Sequence, residues 1–156
     1  MPLAEQDRSH WDTELIAEGV AILQAALAQD QPGEYQAQAA IAALHADAAR
    51  FEETDWVQIV EWYDELLRLV DSPVVRLNRA VALGEADGPH AGLSALADLD
   101  PDLPRRTAVA AHLHERAGDL EQAAELYAAA SRTASSVPER DHLTREAARV
   151  RQLLRP

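Results

Sequence analysis

The chain contains no cysteine and no lysine. Without thiols it can form neither a disulfide framework nor a thiolate metal site, and a reducing compartment suits it. Without lysine, all 14 basic side chains are arginine, a skew that reflects coding composition rather than a binding task. Long apolar runs are also missing. No stretch approaches the roughly 18 residues of a membrane span, and the opening MPLAEQDRSHWD has no basic segment leading into an apolar one. These absences predict a soluble, unexported, cytoplasmic protein with no membrane contact. Nowhere does period-two alternation persist long enough to read as a strand, so a sheet is not expected.

What the sequence does carry is negative charge, unevenly placed. The formal net charge is −13. Residues 1–71 hold 15 acidic and 3 basic side chains, whereas residues 72–156 hold 12 and 11. The front half therefore generates most of the field. A net-acidic surface repels phosphate backbones, so no direct nucleic-acid binding is expected from this chain.

Apolar residues recur at three- and four-residue spacing along the 156 residues, a length that suffices for a self-standing core. The pattern predicts an all-α protein of about eight helices, at residues 12–29, 34–50, 54–70, 73–83, 89–99, 104–117, 119–133 and 138–154. Residues 84–88 are expected to form the loop that ends the fourth. Thr54 or Asp55 and Ser72-Pro73 supply start signals, and the short connections favour antiparallel neighbours. A small, then large, then apolar pattern repeats in alternate helices: Ile59, Tyr63 and Leu66; Gly92, Leu96 and Leu99; Ala123, Tyr127 and Ala130. The mean spacing of 32 residues between copies approaches the roughly 34 of a TPR. In the first copy Ile59 is large for a position that demands close helix approach, so that copy is degenerate. The expectation is a TPR-like helical-hairpin stack: residues 1–32 ending in an N-terminal capping helix, three irregular helix pairs over 33–137, and a C-terminal capping helix over 138–156.

The sequence gives no sign of catalytic chemistry. His112 and His114 are two apart on a helix and diverge, the remaining histidines are isolated, and there is no HExxH, GxSxG, P-loop or GxGxxG. No enzyme activity, metal or cofactor is therefore expected, and carboxylate groups such as Glu61, Asp64 and Glu65 read as a solvated face. The polar groups that could line the inner face of the stack are Tyr35, Gln38 and His45, followed by Asn78 and Arg79 and then by His114. Asn can grip a peptide amide and Arg a carboxylate; equally, Arg79 can pair with Asp47 or Glu85, and Asn78 can bridge helices. Trp11, Trp56 and Trp62 all lie in the front half. Burial between helices is their ordinary fate, but Trp56 and Trp62 are six apart and not on one face, which leaves Trp62 as the expected exposed anchor.

Five strings, in order, resemble the extracytoplasmic-function (ECF) RNA polymerase sigma factors that carry a long C-terminal TPR-containing extension. They are DRSHWD with LIAEG, YQAQAAIAALHADA, TDWVQIVEWYDELL, and SPVVRLNRAVAL with a following GP and AGL. The resemblance runs from about Pro2 to Leu99; beyond it, HERAGDLEQAAELYAAA is a generic TPR signal. It implies that the chain corresponds to the end of the middle region plus the extension, with the sigma domains that bind polymerase and promoter lying outside it. The extension is then a regulatory protein-interaction domain that docks on its own sigma domains, on RNA polymerase core or on a partner protein, and so controls transcription initiation. The alternative reading is a small-molecule-sensing helical domain with a cavity near Tyr35, His45, Asn78 and Arg79.

Overall fold

The computed structural model describes residues 33–155. The expected first helix, Trp11 and the DRSHWD string lie outside the described residues. Those residues hold seven α-helices and one 3-10 turn, with no strand among them. The described residues are all-α, as the periodicity predicts, and the chain divides into two compact units, Met1–Val75 and Arg76–Pro156. The division falls close to the break in charge.

The described part of the first unit is a helical hairpin. Helix α1 (Glu34–Asp47) opens where the Gln36 side chain accepts the Gly33 backbone N–H. It buries Ala37, Ala40 and Ile41, a stripe at i, i+3 and i+4 whose small residues permit close approach. The helix stops three residues earlier than its expected end. Ala48 turns extended and buried, and a 3-10 turn, Phe51–Glu53, follows with Arg50 bonded to Glu53 at 2.7 Å. Helix α2 (Trp56–Leu69) packs on α1. Asp55 is its N-cap, accepting the Gln58 N–H at 3.0 Å. Ile59 and Leu66, two turns apart, carry its buried face.

Helix α3 (Pro73–Ala86) begins at the end of the first unit and continues into the second. It runs straight through Gly84, where a loop was expected. Gly84 and Gly92, the latter on α4 (Pro89–Ala97), are both buried where the helices touch Leu113. A Cβ on Gly92 would lie 2.8 Å from the Ala80 carbonyl oxygen and 3.0 Å from the Gly84 Cα. The glycines are thus the condition for this crossing, not a helix stop. The turn comes at Gly88, with φ of 96°.

Helices α5 (Arg106–Arg116), α6 (Leu120–Thr133) and α7 (Val137–Leu153) complete the second unit. Helix α5 starts two residues later than expected because Arg105 is left-handed, with φ of 68°. The Arg106 guanidinium reaches back to the Leu96 carbonyl oxygen at 3.0 Å, joining the Leu99 N–H at that acceptor near the end of α4. Gly118, with φ of 84°, makes the next turn, and the Ser136 hydroxyl accepts the Glu139 N–H at 3.3 Å to open α7. Two buried clusters result. Leu77, Ala80, Leu96, Leu99 and Leu113 join α3, α4 and α5. Ala111, Ala123, Ala124, Tyr127, Ala130, Leu143, Ala147 and Val150 join α5, α6 and α7. Helix α5 serves both, Leu113 facing one and Ala111 the other. The repeated triads are buried throughout, apart from Tyr63, which is partly exposed.

Candidate functional site

Of the six candidate residues, Tyr35, Gln38, His45 and Trp62 belong to the first unit, and Asn78 and Arg79 to the second. Tyr35 is 84% exposed at the start of α1. One turn on, exposed Gln38 donates its amide to Glu34 at 3.1 Å. His45 is about 15 Å further along the axis than Tyr35, partly buried, its ring edge-on to Trp56 with centroids 5.2 Å apart. Phe51 contacts the same indole at 5.2 Å. Tyr35 and His45 therefore do not converge on one cavity: one faces solvent and the other packs the hairpin end. Asn78 is exposed and Arg79 partly buried.

The expectation for Trp62 needs correcting, since both Trp56 and Trp62 are partly buried. Trp56 is three residues before Ile59 and Trp62 three after it. At 100° per residue they fall on opposite flanks of the one buried stripe, so six-residue spacing shares the burial between them. The apolar side chains that α2 exposes are Val57, 59% accessible, and Leu69, 45%. Near them stands an acid-rich surface: residues 33–75 hold nine acidic and two basic side chains. Glu53 is engaged by Arg50, and Glu65 by Arg68 at 2.8 Å, while Glu52 and Glu61 are exposed. Burial raises the Tyr63 phenol above its ordinary pKa.

The second unit spends its charges differently. The Glu85 side chain, 4% exposed, lies between His112 Nε2 and Arg116 Nη1, each at 3.1 Å. Across α5, α6 and α7, Tyr127 donates its hydroxyl to Glu115 at 3.0 Å, and Arg149 spans Glu115 at 2.7 Å and Glu146 at 2.5 Å. Desolvation and then Glu115 push the Tyr127 phenol far above its usual range, and Glu146 and Glu115 hold Arg149 firmly protonated. His114 pairs with Asp119 at 3.1 Å, so the two histidines of α5 diverge to different partners. No group of three or more metal-binding side chains occurs among the described residues, and no helix among them is long and apolar enough to cross a membrane. Sequence reasoning raised Glu85 only as a partner for Arg79 and passed over Glu115 altogether. Their partners, all on other helices, become visible only once the helices are packed.

No family model matches the chain. No solved structure matches it. An uncharacterized protein of Rhizobium meliloti (strain 1021) is 50% identical over 97 residues, 62% of this chain. The match spans 23% of the length of that relative, so what this chain resembles is one segment within a much longer protein.

Proposed function

We propose that the chain is a protein-docking module of a longer protein, the C-terminal regulatory extension of an ECF sigma factor, acting in the cytoplasm on transcription initiation. The observation that carries this reading is the concentration of acid in the first unit, around exposed Tyr35 and Val57. Such a surface combines long-range attraction for a basic partner with apolar anchors for the contact itself. The basic, nucleic-acid-facing surfaces of sigma domains have the complementary chemistry. A regulator that covers them competes with the polymerase or the promoter, and releases them when its own affinity falls. Helical hairpins suit the task, since they present long faces without enclosing a pocket. The Rhizobium relative supports the modular part of the reading, because over three quarters of its length lies outside the match.

Calorimetry between this chain and separately expressed sigma domains tests the proposal. Binding is expected at low salt and should weaken several-fold as salt rises, because exposed charge pairs are screened. Tyr35→Ala and Glu61→Arg should each weaken it, and Gln122→Ala, on α6, should not. Absence of binding at low salt overturns docking on sigma domains and leaves polymerase core or another protein as the partner.

A further inference from the structure

Helix α7 covers the buried cluster with one stripe and contacts α5 through Glu115–Arg149 on one flank. Its other flank is built differently. Arg140, Thr144, Ala148 and Arg151 follow one another at four- and three-residue spacing on the helix, Arg155 lies two residues past its end, and all are exposed. The four helical positions fall within about 80° of one another around the axis, and Arg140 and Arg151 are about 16 Å apart along it. None of these three arginines makes an ion pair among the described residues, unlike Arg149. Val137, 57% exposed, begins the same flank, and Asp141 lies beside it. Arginines held on a regular helix with no acid of their own are a preformed surface for one.

The matching surface is the outer flank of α2, where exposed Val57 and Glu61 are one turn apart and Glu65, engaged by Arg68, follows. We infer that the arginine flank of α7 docks on the acidic flank of α2 in a second copy of this chain, giving head-to-tail self-association. Charge decides the orientation. Two first units repel each other, two second units are nearly neutral to each other, and only the mixed contact sets free arginines against excess acid. Such a contact is heterologous, so copies add one after another and not as a symmetric pair. It occupies the acidic surface assigned above to a partner protein, so association would mask docking, but its test needs no sigma domain and stands or falls separately.

Sedimentation velocity of the chain alone, over a concentration series at low and high salt, tests this. The average mass should rise with concentration at low salt and return to that of the monomer at high salt. Arg140→Glu with Arg151→Glu should weaken association at least about tenfold with an unchanged far-ultraviolet spectrum, and Glu61→Arg should also weaken it. Mixing the two variants should restore a complex, because the reversed charges again face their opposites. A monomer at every concentration in low salt overturns the inference. So does association that survives the double reversal, or that high salt leaves intact.

Discussion

The two units of this protein use charge in opposite ways. In residues 33–75 nine acids face two arginines, whereas in residues 76–155 twelve acids face eleven. The second unit places several of its charges between helices: Glu85 with His112 and Arg116, and Glu115 with Arg149 and Tyr127. Two ion pairs of the first unit are short-range and lie at its surface, Arg50–Glu53 and Arg68–Glu65, each three residues apart. A paired, partly buried carboxylate specifies how helices meet; an unpaired exposed one creates a field. The proposed function gives the charges of one unit an architectural role and those of the other a role in recognition.

The comparison breaks most visibly in the core of the second unit. Leu113 is fully buried against α3 and α4 beside Gly84 and Gly92. Leu113→Ala is expected to cost about 2–5 kcal/mol in urea denaturation followed by ellipticity. At the same crossing, Gly92→Ala forces a Cβ to within 2.8 Å of a backbone oxygen and should cost about 1–3 kcal/mol. An Ala substitution that leaves stability unchanged would show that these helices do not cross there.

The charge pairs come next. Glu85→Ala leaves His112 and Arg116 without their carboxylate and is expected to lower stability by about 1–3 kcal/mol. Arg68→Ala, at a side chain 75% exposed, should change the denaturation midpoint immeasurably. Equal effects at the two sites would erase the distinction between the units.

The alkaline limb sharpens the same contrast. Tyr127 and Tyr63 are held above the ordinary phenol pKa in the folded state. Unfolding returns them toward about 10, so folding favours the protonated phenols. Their contribution is complete below that value and is lost as pH rises through the folded-state pKa. Tyr127→Phe should cost about 1 kcal/mol at neutral pH through its bond to Glu115 and should flatten the alkaline loss, as read by tyrosinate absorbance and melting together. An alkaline limb unchanged in Tyr127→Phe would contradict the raised phenol.

The helices were legible because burial follows local period: Ala123, Tyr127 and Ala130, or Leu143, Ala147 and Val150, lie where three- and four-residue spacing puts them. Glycine was the main source of error. Gly84 and Gly88 look alike in sequence, yet one allows two helices to touch and the other takes a left-handed turn, and only the position of Leu113 separates them. The end of α1 was misread for a related reason, since the extended Ala48 is fixed by burial and not by any breaker. As for the candidate site, residue type singled out Tyr35 as a polar group for the inner face but did not show that it stands in solvent, and His45 and Trp62 answer to the hairpin's own packing. Arginine partners such as Arg149 with Glu115, 34 residues apart, depend on tertiary contact alone.

The central claim, that the acidic first unit is a docking surface for a basic protein partner, is tested most directly by calorimetric titration of the chain into isolated sigma domains at two salt concentrations. The account predicts binding at low salt that weakens as salt rises and weakens again in Glu61→Arg. Heat-silent titrations at low salt, or an affinity indifferent both to salt and to Glu61, would contradict it.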